Sequence, residues 1–287
     1  ALAAVALTAT AVWSGSGSSV AVDPAAATAL SNVARIAANQ PPQPVLQSNQ
    51  FYYQKTVGSN LSSVAATDDP DEPGYSALVK FDREAWISPS GAGEIRQQDG
   101  SSRFLTRKDK AAWQKSGSPD LKWNTEPFKL DAQPNAQIVA WGASGLTYQQ
   151  LLDLPTDTEA LYDRIEHDAG DAGPSKHQEM FTMVGDALRE APATPEVRAA
   201  LFRAAAKIPG VELIGPATDA AGRRGIGVAQ TDKYERQILI FDPKTSALLG
   251  ERQVAVEGNP EGFPAGATIG ANANLQSGVA DGIGERP

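Results

Sequence analysis

Hydrophobic and polar positions follow two periods along the chain: strand-like alternation in the first and last thirds, and a helical period between them. Asp23 followed by Pro24 pairs a carboxylate cap with a ring suited to a first helical position. Behind it, AAATALSNVARIAAN places Leu30, Val33 and Ile36 or Ala37 on one face. That predicts an amphipathic helix ending at Pro41, Pro42 and Pro44, which force extended backbone. Residues 50–57, QFYYQKTV, predict a strand, and residues 58–74, with TDDPDEPG, predict a loop. Residues 75–88 alternate as a strand up to the turn Pro89-Ser90-Gly91. Residues 93–105 predict two short strands around Asp99-Gly100. Residues 106–145 have little period and hold Trp113, Trp123 and Trp141, read either as packing anchors of an irregular segment or as a ligand or partner surface.

The helical third is the best punctuated. Thr147 caps a short turn, and Thr156-Asp157-Thr158-Glu159 fits a capping box opening a helix to about His167. Ser175-Lys176-His177-Gln178 forms a second box ahead of Met180, Phe181, Val184 and Leu188. Thr194-Pro195 begins a helix with Val197, Leu201 and Ile208 on one face, closed by Pro209-Gly210. Period two then returns: residues 211–230 predict strand, turn and strand, residues 236–256 predict two strands joined at Asp242-Pro243, and residues 266–277 predict a last strand. Strands, helices, then strands predict an α+β fold, a curved antiparallel sheet packed against about three to four helices.

The first 22 residues carry no charge. ALAAVALTATAVW can be the tail of a membrane helix or signal anchor, part of a secretory signal, or a buried helix. At about 1.5 Å per residue its thirteen residues span about 20 Å, short of a bilayer core, so upstream residues are expected. Residues 1–22 are thus expected to be an anchor or signal remnant with a Ser/Gly linker, and residues 23–287 one extracytoplasmic domain, membrane-anchored or secreted. Composition narrows the chemistry. With no Cys and two His among 287 residues, there is no disulfide framework, thiolate metal site or three-His centre. A net charge of −9 argues against nucleic acid as a partner.

The remaining motifs favour punctuation over catalysis. His167 and His177, with Glu166, Asp168, Asp171 and Glu179 nearby, lack a spacing that would put both imidazoles on one helical turn, and His167 falls at a helix end that favours a cation. Asp68, Asp69, Asp71 and Glu72 are interrupted by Pro70 and Pro73 and read as a solvated acidic loop. Gly142-Ala143-Ser144-Gly145 is not a nucleophile elbow. The glycines at 222, 225 and 227 have the wrong order for a dinucleotide fingerprint. No catalytic, cofactor or metal residue is therefore assigned. Pro209, Gly210, Asp219, Gly222, Arg223, Gly225 and Asp242 read as structural: glycine and proline set backbone, and Asp219 can staple Arg223 across a turn.

In order and spacing, LPTDTEALYDRI, RAALFRAAAKIPGVEL, DAAGRRGIGV, LIFDPKTSALLGE and SGVADGIGERP resemble the CU044_5270 family of actinobacterial membrane-anchored proteins. The resemblance covers roughly residues 23–287 and is strongest from Leu154 onward. It implies a short cytoplasmic segment, one membrane helix and an extracytoplasmic domain with no agreed activity. The chain departs from it at Ser246, where the hairpin usually has Gly, so a left-handed Ser is one expectation there. At fold level it is also similar to lipoprotein carriers and sensors, whose curved sheet wraps helices around an apolar groove. The functional expectation is a non-enzymatic binding or sensing domain of the envelope for a lipid-like ligand or a protein partner, with the N-terminal segment in the membrane. A secreted hydrolase with dispersed carboxylates and an accessory subunit of a membrane complex are the alternatives.

Overall fold

The computed structural model describes residues 21–66, 74–122, 126–170, 173 and 175–287. Four strands, β1 (Phe51–Val64), β2 (Tyr75–Ile87), β3 (Gly93–Arg103) and β4 (Phe128–Leu130), form one antiparallel meander. Five more, β5 (Glu212–Thr218), β6 (Arg224–Thr231), β7 (Glu235–Phe241), β8 (Leu248–Ala255) and β9 (Thr268–Ala280), form a second. The meanders meet where β1 pairs with β9, giving one open nine-stranded sheet in the order β4-β3-β2-β1-β9-β8-β7-β6-β5.

Among the described residues there are six helices: α1 (Pro24–Ala38), α2 (Arg107–Lys115), α3 (Tyr148–Leu152), α4 (Thr158–Ala169), α5 (Lys176–Arg189) and α6 (Pro195–Ala205). That exceeds the three to four expected: the short turn at Thr147 closes as the five-residue α3, and α2 forms where no period is visible. Its support is local: the Thr106 hydroxyl accepts from Asp109 N at 3.0 Å, and Asp109 in turn accepts from Ser76 N on β2.

Three other expectations are corrected. The strand predicted for residues 50–57 runs on to Val64, through residues expected to be loop. Gly58 pairs with both Phe81 and Asn272, and Asn60 with both Val79 and Gly270, so ladder bonds on two sides outweigh polar side chains. Asp99-Gly100 makes no hairpin. It lies inside β3 at a register shift, between the pairs Phe81↔Asp99 and Val79↔Ser102, where glycine suits the bulge. Helix α4 is capped by Asp157, which accepts from Ala160 N at 3.0 Å, one residue later than the box predicted.

Helices α1, α3, α4, α5 and α6 share one core with one face of the sheet. Alternation selects Val228, Leu239, Phe241 and Leu248 from the second meander and Tyr52 from β1 for that face. Phe202 of α6 meets Phe241 edge to face at 5.0 Å, and Leu161, Ile165 and Phe181 are fully buried, each worth about 1.5–3 kcal/mol. Asp23 ties the layers: Oδ1 accepts from Ala25 N and Oδ2 from Leu213 N on β5, both at 2.9 Å. The Leu213 bond, against some burial, holds its carboxyl below the usual range.

In the second meander the β8–β9 ladder is short, pairing only Arg252, Gln253 and Val254 with β9. Side chains close the rest. Glu251 N donates to Asn272 Oδ1 (3.0 Å) and Asn274 Nδ2 to Leu248 O (3.1 Å). Arg223 Nη2 donates to both Leu249 O (2.6 Å) and Asn274 O (2.8 Å), bridging strands that do not bond there. Arg223 is aimed by Asp219, fully buried in its side chain, which accepts from Arg223 Nε at 2.7 Å. Gly222 between them has φ 84°, as its turn requires, and at Gly225 a Cβ would lie 2.5 Å from Phe241 O. Gly210, after Pro209, turns the chain from α6 into β5 with φ 83°. Asp242 accepts from Lys244 N at 2.7 Å in the β7–β8 turn, and Ser246 takes φ 61°, a left-handed serine.

On the opposite face of β1, β2 and β9, Tyr53 and Trp86 meet at 5.2 Å beside Ala280. Residues 281–287 lie across them. Trp86 Nε1 donates to Glu285 O (2.6 Å), and Arg286 Nε and Nη2 grip Glu84, which also accepts from Tyr53 Oη (2.6 Å). Arg286 and, against burial, Tyr53 depress the Glu84 carboxyl to about 2.

Both devices are testable. Arg223→Ala is expected to lower unfolding stability by about 2–4 kcal/mol in urea titrations, with Asp219→Ala similar, because each leaves buried polar groups unpaired. Glu84 is depressed when folded, so its contribution is complete above its ordinary pKa of 4.5 and is lost as pH falls towards 2. Arg286→Ala is expected to move that acid loss to higher pH and to increase acrylamide quenching of Trp86 in a variant retaining only that tryptophan. Unchanged quenching would show that the tail does not cover the ring.

Candidate binding site at the junction of the two meanders

The C-terminal turn of α5 carries Asp186, Arg189 and Glu190 against the sheet. The helix starts at Ser175, whose hydroxyl accepts from Gln178 N at 3.2 Å. The Gln178 side chain does not close a capping box: it turns to Gln237 of β7 (2.9 Å), a buried tie also made by Thr182 (2.8 Å). With α5 held by its apolar face, its last turn lies over β1, β8 and β9. There Arg189 is shared by three carboxylates: Nη2 donates to Asp186 and, at 3.0 Å, to Glu190, and Nη1 donates to Glu251 of β8. Glu190 also accepts from Ala140 N (2.6 Å), and Gln54 of β1 donates to Arg189 O.

The electrostatics follow from this one-to-three ratio. Burial alone would lower the Arg189 guanidinium, but Glu251, Asp186 and Glu190 outweigh it and hold the cation. Asp186, by contrast, meets one cation and two anions. Burial pushes Asp186 up to about 7, Arg189 opposing and Glu190 and Glu251 adding. Arg83 of β2 is lowered by burial and by Arg189, with Glu190 countering.

Beside this hub is a cavity of about 90 Å³, roughly three water volumes, lined by Arg189, Arg198, Tyr52, Gln54, Thr56 and Ser277 among others. Alternation along β1 points Tyr52, Gln54 and Thr56 to the helix side, and Ser277 pairs with Gln54 across the junction. The Tyr52 hydroxyl and Ser277 both line this cavity. Burial raises that phenol, with Ser277 and Arg198 opposing. Arg198 donates to Leu188 O (3.3 Å) and Ser246 O (3.2 Å) and touches no carboxylate among the described residues; burial lowers its guanidinium, with Tyr52 opposing.

The tryptophans do not make one surface. Trp141 is 2% exposed and gives its Nε1 to Asp168 at 2.7 Å, so it belongs to the core and is removed from the expected ligand surface. Trp113 is half-buried against Phe104 (5.2 Å), with its Nε1 on Pro119 O. Trp123, the acidic residues at 68–72 and Asp171 lie outside the described residues. His167 is 86% exposed at the end of α4, beside Asp168, and His177 opens α5. Among the described residues no cluster of three or more His, Asp or Glu is arranged to hold a metal ion. Pro209, Gly210, Asp219, Gly222, Arg223, Gly225 and Asp242 all sit in or beside turns, and none of them lines the cavity, although Arg223 bonds the lining residue Asn274.

The residues at the junction carried one sequence signal. Arg198 lies three positions before Leu201, on a side of α6 that is otherwise apolar, and Gln54 and Thr56 hold inward positions of β1. The rest, Ser277, Asn274 and Glu251, are over 170 residues distant from β1 in sequence, and only pairing assembles them. No protein-family model matches the chain, and no curated protein matches it.

The raised Asp186 carboxyl generates a pH prediction. Its folded pKa lies above the ordinary 3.8, so the associated stability is complete below that value and is lost as pH rises to about 7. The stability of Asp186→Asn relative to the unsubstituted protein is expected to rise between pH 4 and 7, by at most about 1.4 kcal/mol per unit, in urea midpoints taken across that range. A constant difference would mean that Asp186 is ionised throughout.

Proposed function

We propose that this is a non-enzymatic binding or sensing domain whose ligand enters the polar junction between α5, α6 and the central strands. The observation that carries the reading is the pairing of a small cavity lined by hydroxyls, amides and Arg198 with carboxylates already committed to Arg189. A hydrolase using dispersed carboxylates needs an acid and a base free to meet substrate, and Asp186, Glu190 and Glu251 are each tied through one oxygen to a single guanidinium. Of the expected occupants, a lipid-like ligand is less favoured than a polar one. The junction is lined by two guanidiniums, hydroxyls and amides.

Placement outside the cytoplasm is part of the proposal and rests on the uncharged run of residues 1–22. Among the described residues no helix is long and apolar enough to cross a membrane. The likeness to the CU044_5270 family supports the same arrangement, with an envelope protein as another partner for the domain.

Hydrogen–deuterium exchange on the full chain, with and without a protein-free polar metabolite extract, checks the reading. Slower exchange is expected in residues 52–56, 186–198 and 272–277. Unchanged exchange there, together with turnover of an extract component that Asp186→Asn abolishes, would overturn it in favour of the hydrolase.

A further inference from the structure

Arg198 is the least compensated charge at the junction. A guanidinium has five N–H donors and a permanent charge, and burying it without a counter-ion is costly. Arg189, nine residues earlier and across the α5–α6 connection, has three carboxylates. Arg198 has two backbone carbonyls and the Tyr52 hydroxyl nearby. Its position one turn into α6 adds no compensation, since that end of a helix favours anions. The bonds to Leu188 O and Ser246 O orient the group as a staple between the end of α5 and the β7–β8 turn, and neutral carbonyls leave its charge in place.

The groups around the same cavity match what an anion would need. Tyr52, Thr56 and Ser277 supply hydroxyls and Gln54 an amide, while Leu188 and Leu248 bound the space with apolar surface. About 90 Å³ admits a small group. Arg198 offers one positive charge with no carboxylate partner among the described residues, and the excess of carboxylates at the neighbouring Arg189 disfavours a doubly charged phosphate against a single carboxylate.

We propose that the cavity beside Arg198 binds a single carboxylate group, with Arg198 as its charge partner and the Tyr52 and Ser277 hydroxyls as neutral contacts. The carboxylate can belong to a free small acid or to the C-terminus of a peptide. The proposal deepens the binding reading above and rests on it.

Thermal unfolding of the full chain in sodium acetate, against sodium chloride at equal ionic strength and pH, tests it. A saturable rise in Tm is expected up to about 0.1 M acetate, as for a ligand that binds only the folded state. Arg198→Gln is expected to lose the rise. Because that change also removes the staple and can prevent folding, Ser277→Ala provides a second readout, with acetate binding weakened severalfold and the staple intact. A peptide with a free C-terminus, compared with its amide, separates the sources: a stronger rise with the free peptide than with acetate assigns a chain end, and acetate alone a small acid. No acetate-specific rise, or an equal rise in Arg198→Gln, overturns the proposal. Metabolite-dependent exchange protection at residues 52–56 and 272–277 would then show that only the ligand chemistry was wrong, whereas its absence would remove the binding reading too.

Discussion

The pairing of β1 with β9 is the constraint on which this structure depends. Each meander is local, joining neighbours in the chain, but the two become one sheet only where Phe51 meets Ala280 and Asn60 meets Gly270. Everything between, including all of α2 to α6, must be spanned before those bonds can form. Long-range closure of this kind is entropically costly and slow, and it is offset by a ladder bonded on both sides of β1 and by the helical core laid over the join.

That join also explains where the polar groups gather. The apolar core is filled by the helices and the second meander, with Phe202, Phe241, Phe181 and Leu239 in contact with it. Towards β1 the inward positions become Gln54 and Thr56, and on β9 they become Asn274 and Ser277. An ionic hub in such a place is weak evidence for stability, since desolvation offsets most of its attraction. Its effect is on geometry: Arg189 locks the end of α5 to β8, and Arg198 locks α6 to the β7–β8 turn, so the cavity between them has walls that cannot easily shift.

Much of the local architecture was legible in the sequence. Asp23-Pro24, Ser175 and Thr194-Pro195 are caps because a side-chain oxygen can reach an amide two or three residues away, and no distant residue is needed. The Asp219–Arg223 turn and the Asp242 hairpin belong to the same class. Two errors arose where a distant partner decided: the second half of β1 has loop-like residues made into strand by β2 and, up to Asn60, by β9, and Asp99-Gly100 has hairpin residues absorbed as a bulge by a long β2. Trp141 is similar, an aromatic in an unpatterned segment that Asp168 and the core turned inward.

The sequence by itself determined the class of fold, most of the turns and helices, and the exclusion of cysteine chemistry, because these rest on composition and on interactions within a few residues. It did not determine the order of strands or the candidate site. Tyr52, Arg198, Glu251 and Ser277 have no mutual spacing that chemistry could recognise, and a strand shows only which residues alternate, not what lies opposite. The tertiary structure supplied that opposition by bringing β1 against β9 under α5 and α6, and with it one guanidinium surrounded by carboxylates and another left without one among the described residues.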